Sequence, residues 1–429
     1  MFKNVSLIIS LLLSGTMLLS GCSIEEQRPN LEVSNPEVVN PIIEQVSGEE
    51  AEICNLNEKT IGFNVFDSSL ISFIDIEKSK ENYMISPLSF KCALGLAVSG
   101  ASGDTAKELY SVLGYDDFSD FESLMRRIND LKVQFDSYNE RIQGYEWIEE
   151  KEKEGMKIHF DVANSVWDVS GKLKEDYIEE VKSKMNAEAK NTSINTVVEE
   201  VNTWVNEKTR GLIPRLLTMA PNDLGAVLVN TVYLKSSWFE EFSVSSNPMK
   251  FTDISNNIIE KESINKTDKF AYYKDDDSEL VIVPLNGGAN IAYVLGSREN
   301  ISEKINKAEK KKEIYVEVPK IEMETTFDKK ELVNYLQANG VKEAFLETAD
   351  FDKMSEDMSI GDIIQKTKIK TDEKGLEAAA ATAIIMKDNA MFIEQEEPIK
   401  FICDKPFSFY IYSEIDGVKD LMFFGNYVK

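Results

Sequence analysis

Residues 373–386 read EKGLEAAAATAIIM, and the interpretation of the chain starts from them. The alanine run predicts a helix, because alanine has the highest helix propensity. Two features oppose a permanent helix: Gly375 weakens its first turn, and residues 387–398, KDNAMFIEQEEP, are typical of an exposed loop. In a strand, alternate residues would share one small and then apolar face, namely Leu376, Ala378, Ala380, Thr382, Ile384 and Met386. A segment that suits a loop, a helix and a buried strand indicates a moving part, and the alternative is an ordinary surface helix.

The overall charge of the chain restricts its partners. Its 429 residues carry a formal net charge of −27 at pH 7, so we expect no nucleic-acid partner, because the phosphate backbone would repel it. Anionic membrane surfaces are disfavoured for the same reason. The length allows one large hydrophobic core or two smaller ones.

The single histidine argues against several kinds of catalysis. A Ser-His-Asp or Cys-His arrangement needs a histidine beside the nucleophile, whereas His159 lies in KIHFDVANSVWDV, which alternates like a strand and predicts a structural histidine. Zinc sites draw on several His and Cys residues, and the four cysteines show no CxxC spacing. We therefore expect no metal and no cofactor, although carboxylate or lysine chemistry is not excluded.

The N-terminus is typical of an export signal. Lys3 precedes an apolar stretch, residues 5–19, that is too short to span a bilayer comfortably. It ends in LSGC at residues 19–22, which resembles a bacterial lipobox. That resemblance implies that residues 1–21 are removed as a signal peptide and that Cys22 carries a diacylglycerol, which would anchor the protein to a membrane. Plain secretion is the alternative.

A tether is predicted between this anchor and the folded domain. Residues 23–52 contain three prolines among many Glu and Asn residues, a composition typical of a flexible linker. We therefore expect the lipidated cysteine and tether over 22–52 and one domain over 53–429. Cys92 and Cys403 lie in apolar patterns and are expected to be buried, and a disulfide at Cys54 is left open.

Hydrophobic periodicity along the domain predicts the α+β class with a large sheet. An almost unbroken apolar run, residues 224–234, predicts a strand buried on both faces. The highly charged residues 132–156 predict an exposed helix or loop, and Asn286-Gly287 predicts a hairpin turn. The other expected elements are helices at 63–77, 87–99, 102–113, 197–217 and 328–339 and a strand at 160–168.

Several motifs, taken in order, resemble one family, the serpins. They are SPLS at 86–89, GASGDT at 100–105, VNTWV at 201–205 with Thr209, Gly211 and Ile213, NTVYLKSSW at 230–238, Pro319-Lys320, ADF at 349–351, Pro406-Phe407 and Phe424-Gly425. Each motif alone is weak, but their number and order over residues 53–429 identify the domain as similar to that family.

The serpin resemblance implies three β-sheets, eight or nine helices and an exposed reactive-centre loop. It implies irreversible inhibition of serine or cysteine endopeptidases: the target cleaves a bait bond and forms an acyl-enzyme, and the freed hinge of the loop enters the central sheet as a new strand. Such an inhibitor needs no catalytic residues of its own. The hinge residues carried over are Glu373, Gly375, Leu376, Glu377, Ala378, Ala379, Ala380, Ala381 and Thr382.

Two positions depart from the family pattern. Leu376 stands where a small hydroxyl residue is usual, which should suit an apolar core but slow the first step of insertion. Gln365 stands where a histidine is usual, in a polar cluster under the sheet with Ser86, Ser89 and Asn230. Because an amide both donates and accepts hydrogen bonds, we expect this cluster to persist with altered energetics of sheet opening.

The position of the bait bond follows only approximately from the resemblance. The family's usual spacing, counted forward from Glu373, places the cleaved bond at Asn389-Ala390. Counting back from Pro406 instead points several residues later, near Gln395, so the loop is longer than usual.

Other residues of the same loop would suit different target proteases. Lys387 would suit a trypsin-like enzyme, and Met391 or Phe392 a chymotrypsin- or subtilisin-like one. Asp388 or Asn389 would suit cysteine proteases with those preferences, so the bait bond stays open within this segment.

Three classes of function compete at this stage: a protease inhibitor, a serpin that acts instead as a surface binding or carrier protein, and an enzyme on another fold. The uncharged alanine hinge favours the inhibitor, because a decayed hinge should have gained charges, proline or bulky residues. The expected partners are a target endopeptidase in a covalent complex and a membrane through the lipid on Cys22. We expect a monomeric, exported lipoprotein of the cell envelope that faces away from the cytoplasm.

Overall fold

A computed structural model describes residues 63–220, 226–310, 313–327, 329–356, 358–376 and 397–429. By its contacts the chain from Glu58 to Lys429 is one compact unit, and every described residue belongs to it. The predictions for the signal peptide, Cys22, the tether and Cys54 lie outside the described residues.

The helices begin where the sequence provides caps. Asn64 and Asp67 form a capping box at the first helix, and Ser86 caps the second, which has Pro87 in its first turn. The described ranges contain the α-helices α1 Val65–Lys78, α2 Pro87–Gly100, α3 Gly103–Leu113, α4 Phe118–Gln143, α5 Glu150–Met156, α6 Glu175–Met185, α7 Val197–Lys208, α8 Ile301–Lys307 and α9 Lys329–Ala338, and a 3-10 helix at Glu343–Phe345.

One helix prediction was wrong in its extent, and one prediction of exposure was only partly right. The helix expected over 197–217 ends at Lys208, because Arg210 and Gly211 adopt left-handed φ angles of 51° and 88° that end a right-handed helix. The stretch expected to be exposed over 132–156 contains the end of α4, whose Phe135 and Ile142 are buried. Its many charges concealed an apolar stripe of helical period.

The described strands follow the apolar and alternating segments. They are β1 Tyr83–Ile85, β2 His159–Asp168, β3 Glu188–Asn191, β4 Ala226–Ser237, β5 Ser243–Val244, β6 Met249–Thr252, β7 Ile258–Lys261, β8 Ser263–Asp268, β9 Ala271–Lys274, β10 Ser278–Pro284, β11 Ala289–Gly296, β12 Ile314–Pro319, β13 Glu322–Phe327, β14 Ile360–Ile363, β15 Gln365–Lys370, β16 Gly375–Leu376, β17 Ile399–Ile402, β18 Phe407–Ile415 and β19 Val418–Tyr427. The hairpin predicted at Asn286-Gly287 joins β10 to β11.

The strands form several sheets, and the α+β class is confirmed. A six-stranded sheet has the order β1-β19-β18-β11-β10-β9, and a four-stranded sheet has the order β17-β12-β8-β5. The central sheet contains β14, β4, β2 and β3 in that order, with β16 also paired to β4. Strands β13 and β15 pair with each other, and β6 pairs with β7.

Helix α2 is the buried centre of the domain. All of its 14 residues are buried, and its Lys91 ammonium lies 2.9 Å from the Asp67 carboxylate of α1, since a buried charge requires a partner. Above it, β4 buries both faces: Ala226, Leu228 and Leu234 join the main core, while Val227 and Val229 pack in a second cluster with α7. The strand expected at 224–234 is thus present. Within the described ranges, no helix is long and apolar enough to cross a membrane.

Candidate functional site

Strands β4 and β15 run side by side but do not pair along their length. At one end β14 pairs in parallel with β4, through Ile360 with Ala226 and Ile363 with Leu228. The chain then continues into β15, which pairs with β13 instead. In the part of the chain that the structure describes, residues 229–235 of β4 therefore have no strand partner on this edge.

We call the space between residues 229–235 of β4 and the neighbouring β15 the gap. At its other end the chain turns back as β16. Gly375 pairs with Ser237 and Leu376 with Ser236, both antiparallel to β4, and a bridge joins Leu376 to Thr371 at the end of β15. Strand β16 thus lies between β4 and β15 and closes one end of the gap. A small cavity of about 20 Å³ remains beneath it, lined mostly by apolar residues that include Val232, Leu234, Ile369 and Leu376, with Lys368 and Lys370.

The turn that leads into β16 is fixed by Trp238. The indole nitrogen of Trp238 donates to the Asp372 carbonyl at 2.8 Å, and its backbone nitrogen donates to the Lys374 carbonyl at 2.9 Å. The Asp372 carboxylate accepts from the backbone nitrogens of Lys374 and Gly375 at 2.8 and 3.2 Å. This turn is therefore held by backbone and side-chain bonds together.

Glu373, the first predicted hinge residue, is fastened on both sides. Its backbone carbonyl accepts from the nitrogen of Phe242 at 2.9 Å, and its carboxylate lies 2.9 Å from the Lys320 ammonium. The hydrogen bond from Lys320 holds the pKa of Glu373 below its usual value. The pair is partly exposed, so its contribution to stability is small.

Gly375 and Leu376 have opposite requirements for space. A Cβ on Gly375 would lie 2.2 Å from the Ser236 carbonyl oxygen and 2.6 Å from the Ser237 Cα, so no larger residue fits without a shift of the backbone. Leu376 is 2% exposed and belongs to the main core. The remaining hinge residues, Glu377, Ala378, Ala379, Ala380, Ala381 and Thr382, lie outside the described residues. So do the bait-bond candidates Asn389, Ala390, Lys387, Met391 and Phe392.

The predicted polar cluster is brought together only in part. Gln365 binds the backbone of Ser86 twice: its Oε1 accepts from the Ser86 nitrogen at 2.8 Å, and its Nε2 donates to the Ser86 carbonyl at 2.9 Å. The Ser86 hydroxyl donates to the Met422 carbonyl at 2.6 Å and accepts from the Ser89 nitrogen at 3.1 Å. These bonds fasten the start of β15 to the start of α2.

Asn230 of the same predicted cluster has a different partner. Its amide donates to the Asn164 side chain on β2, and no bond joins it to Ser86, Ser89 or Gln365 in the described residues. Both asparagines are buried, and the Asn164 Nδ2 and Asn230 Oδ1 atoms have no hydrogen-bond partner there. Sequence reasoning missed Asn164, since no local pattern shows which residue lies opposite on another strand.

The other titratable candidates are structural. His159 begins β2 beside the Tyr233 ring, and partial burial together with the nearby Arg210 lowers its pKa. Cys92 and Cys403 are buried free thiols, as predicted. Among the described residues, no group of His, Cys, Asp and Glu could hold a metal ion.

Comparisons with known proteins agree on one family. The family model described as Serpin (serine protease inhibitor) matches residues 62–429. The leukocyte elastase inhibitor of Xenopus tropicalis is 28% identical over 398 residues, which cover 84% of this chain and 97% of the relative. Among solved structures, Serpin48 of the insect Tenebrio molitor has a TM-score of 0.67 at 26% identity, over 85% of this chain and 96% of its own.

A binding protein shares the same fold. Human thyroxine-binding globulin complexed with thyroxine has a TM-score of 0.66 at 20% identity, over 85% of this chain and 96% of its own. Because these relatives are matched over nearly their whole lengths, the compact unit 58–429 has the extent of a complete domain, which is expected to fold alone.

Replacing Gly375 with alanine should expel β16 from the sheet, because the new Cβ has no room beside Ser236. Losing two ladder hydrogen bonds of ~1 kcal/mol each should speed amide exchange at Leu376 and Ser236 by about 10- to 30-fold. Hydrogen-exchange mass spectrometry measures this. The matched control is Gly361→Ala, where a Cβ meets nothing within 4 Å. Unchanged exchange in Gly375→Ala would show that β16 is not held by this close approach.

Replacing Gln365 with leucine should destabilise the uncleaved domain by about 1–3 kcal/mol, because it leaves the buried Ser86 N–H without an acceptor. The Ser86 carbonyl loses one of its two donors and keeps the Phe90 nitrogen. The midpoint of urea unfolding should fall accordingly. Lys370→Leu, at an exposed position of the same strand, should change stability by no more than about 0.5 kcal/mol. Equal midpoints for the two variants would contradict an anchoring role for Gln365.

Proposed function

The chain belongs to the serpin family, and on that premise we propose that it inhibits serine or cysteine endopeptidases irreversibly, as a suicide substrate. The observation that carries the proposal is the gap between β4 and β15, with β16 already seated at one end of it. An unpaired strand edge in a sheet is a template for an added strand. The segment that follows β16 is the predicted hinge.

The register of β16 indicates where the hinge would pair. Leu376 lies opposite Ser236, so an antiparallel continuation brings Ala378 opposite Leu234 and Ala380 opposite Val232. Residues of an antiparallel pair share a face of the sheet. The small residues Ala378 and Ala380 would therefore enter the side of the core where the cavity beneath β16 lies.

The same register accounts for two polar residues. Thr382 would arrive opposite Asn230, whose buried Oδ1 has no hydrogen-bond donor among the described residues. Glu377 would lie on the other face of the sheet, opposite Lys235. Insertion would thus place the Thr382 hydroxyl beside a buried acceptor, and it would keep the charged Glu377 side chain out of the core.

Beyond Thr382 the inserted strand must displace β14. Ile384 would reach the position opposite Leu228, where Ile363 of β14 now pairs. Complete insertion therefore requires β14 to separate from β4. Each hydrogen bond formed in the gap contributes about 0.5–1.5 kcal/mol, so the uncleaved fold is secure only kinetically.

Inhibition follows if insertion is faster than deacylation. The protease nucleophile attacks the bait carbonyl and the C–N bond breaks. The C-terminal side becomes a free amine that stays in the fold through β17, β18 and β19, while the hinge side stays attached to the protease as an ester or thioester. The hinge then enters the gap and carries the attached protease along the sheet. This role requires no catalytic residue, metal or cofactor in the inhibitor itself.

The alternative function is a non-inhibitory serpin that acts as a surface binding or carrier protein. The observation that favours it is Leu376, a bulky residue at the first inward position of the hinge, already buried in the uncleaved chain. Thyroxine-binding globulin, which shares the fold, carries a binding function in its name. The small, uncharged residues Ala378–Ala381 favour inhibition instead.

We further propose a location for the molecule. The lipobox-like sequence before Cys22 supports an exported lipoprotein of the cell envelope, with residues 1–21 as signal peptide and 22–52 as tether. The serpin domain, proposed to extend over 53–429, would then face away from the cytoplasm as a monomer. The target protease would be met at that membrane surface.

The proposal predicts a covalent product. Residues 58–429, incubated with a panel of serine and cysteine proteases of different primary specificity, should give a complex that survives denaturing electrophoresis with at least one of them. The cleaved domain should melt at a higher temperature than the uncleaved one, because the sheet has gained a strand. Sequencing the C-terminal peptide that separates on denaturation locates the bait bond. If every protease cleaved the domain as an ordinary substrate without forming a complex, the result would favour the non-inhibitory binding function.

Ala380→Arg should convert the inhibitor into a substrate, because a charged side chain would enter the core opposite Val232. The fraction of cleaved molecules that form a complex should fall at least tenfold, measured as the stoichiometry of inhibition. Glu377→Arg exchanges one long charged side chain for another on the opposite face, and it should keep most of the activity. Equal inhibition by both variants would refute insertion in this register.

A further inference from the structure

A second cavity lies beside β2 and β3, toward the opposite edge of the central sheet from the gap. Its volume is about 690 Å³, and it is bounded by residues of α4, α6 and α7 together with β2 and β3. Strand β3 pairs with β2 only over Ser165–Asp168 within the described residues. The wall formed by residues 161–164 is therefore an open strand edge, whose outward backbone groups face the cavity.

The lining of this cavity has more basic than acidic side chains, although the protein as a whole is acidic. Five lysine and arginine side chains line it, against three acidic ones, in a chain whose net charge is −27. Arg210 is paired with Asp161 at 3.1 Å. Lys132 and Lys182 line the cavity without a carboxylate partner in the described part of the chain. A cationic recess in an acidic surface concentrates small anions.

One carboxylate of the protein already occupies this environment. Glu188 lies 3.2 Å from the Lys190 ammonium and 3.0 Å from the Lys208 ammonium. Although partial burial opposes ionisation, the hydrogen bonds from Lys208 and Lys190 keep the pKa of Glu188 below its usual value. The walls of the cavity therefore stabilise a carboxylate.

The rest of the lining is apolar and aromatic. Val162, Ile178 and Trp204 contribute to the walls, and the volume falls within the range of about 300–1,000 Å³ typical of small-molecule sites. Asn164 also lines the cavity; it is 1% exposed, and its Nδ2 has no acceptor among the described residues. A ligand that fits this lining needs an anionic group and a flat apolar part.

We propose that this cavity is a binding site for a small organic anion that combines a carboxylate, phosphate or sulfonate with an aromatic or other flat apolar group. Lys132 and Lys182 bind the anionic group, and the Trp204 wall contacts the apolar part. The proposal does not use the reactive loop, and the site needs no protease for its detection. A test of this site therefore gives its result separately from any test of the proposed inhibition.

The probe that matches this chemistry is 8-anilinonaphthalene-1-sulfonate, whose fluorescence rises in apolar surroundings. Titrated into residues 58–429, it should bind saturably at one site, and its affinity should weaken as salt is raised. The variant Lys132→Glu/Lys182→Glu should bind at least tenfold more weakly. The control is Lys353→Glu, at an exposed position outside the cavity. It changes the net charge by half as much as the double variant, and it should bind the probe like the unmodified chain.

A neutral analogue separates charge from apolar contact. N-phenyl-1-naphthylamine lacks the sulfonate and should bind at least tenfold more weakly than the sulfonate probe, with equal affinity for the unmodified chain and the double variant. Unchanged sulfonate affinity in the double variant would overturn the proposal, as would equal binding of the neutral analogue or binding that does not saturate. Circular dichroism and the unfolding midpoint verify that each variant is folded.

Discussion

Residues 229–235 of β4 present backbone N–H and C=O groups along an edge that no described strand pairs with. Such groups need partners when they are shielded from water, and a neighbouring strand, β15, lies alongside. It is kept from pairing at both ends: β14 is fixed to β4 at one end, and β16 with Leu376 is wedged between the strands at the other. The remaining features of the site hold β4 and β15 in this arrangement.

The contacts that hold β4, β15 and β16 in this arrangement are few, and they are weak compared with the hydrogen bonds that an added strand would form. Gln365 fastens the start of β15 to Ser86 by two hydrogen bonds, Trp238 holds the turn before β16, and Glu373 pairs with Lys320 at a partly exposed site. Each contributes on the order of 1 kcal/mol. A strand of seven residues would form several bonds of the same strength and bury apolar surface besides. Under the proposed mechanism, connectivity would therefore keep the uncleaved arrangement in place, because the loop joins two paired strands, β16 and β17.

The sequence predicted those features that depend on local pattern. The apolar run at 224–234 predicted the central strand β4, whereas the alternation in residues 373–386, most of which lie outside the described residues, stays a prediction. Features that depend on register or tertiary packing were not predictable. Asn164 and Asn230 are 66 residues apart and meet only because β2 and β4 pair in one register. The end of α7 depends on left-handed angles at Arg210 and Gly211, which the helical pattern of the surrounding residues conceals.

Under the proposed mechanism, the leucine at position 376 would change which step of insertion is difficult. A leucine at the first inward position was expected to slow entry into the sheet, and that expectation is still a prediction. In the uncleaved chain, however, Leu376 is already buried and paired with β4, and burying a leucine is worth about 1.5–3 kcal/mol. Its bulk therefore stabilises the state before cleavage. The residues that would follow, from Ala378 to Thr382, are small. Under the proposed mechanism the barrier would therefore shift toward the far end, where β14 would have to leave Ala226 and Leu228 before Ile384 could pair.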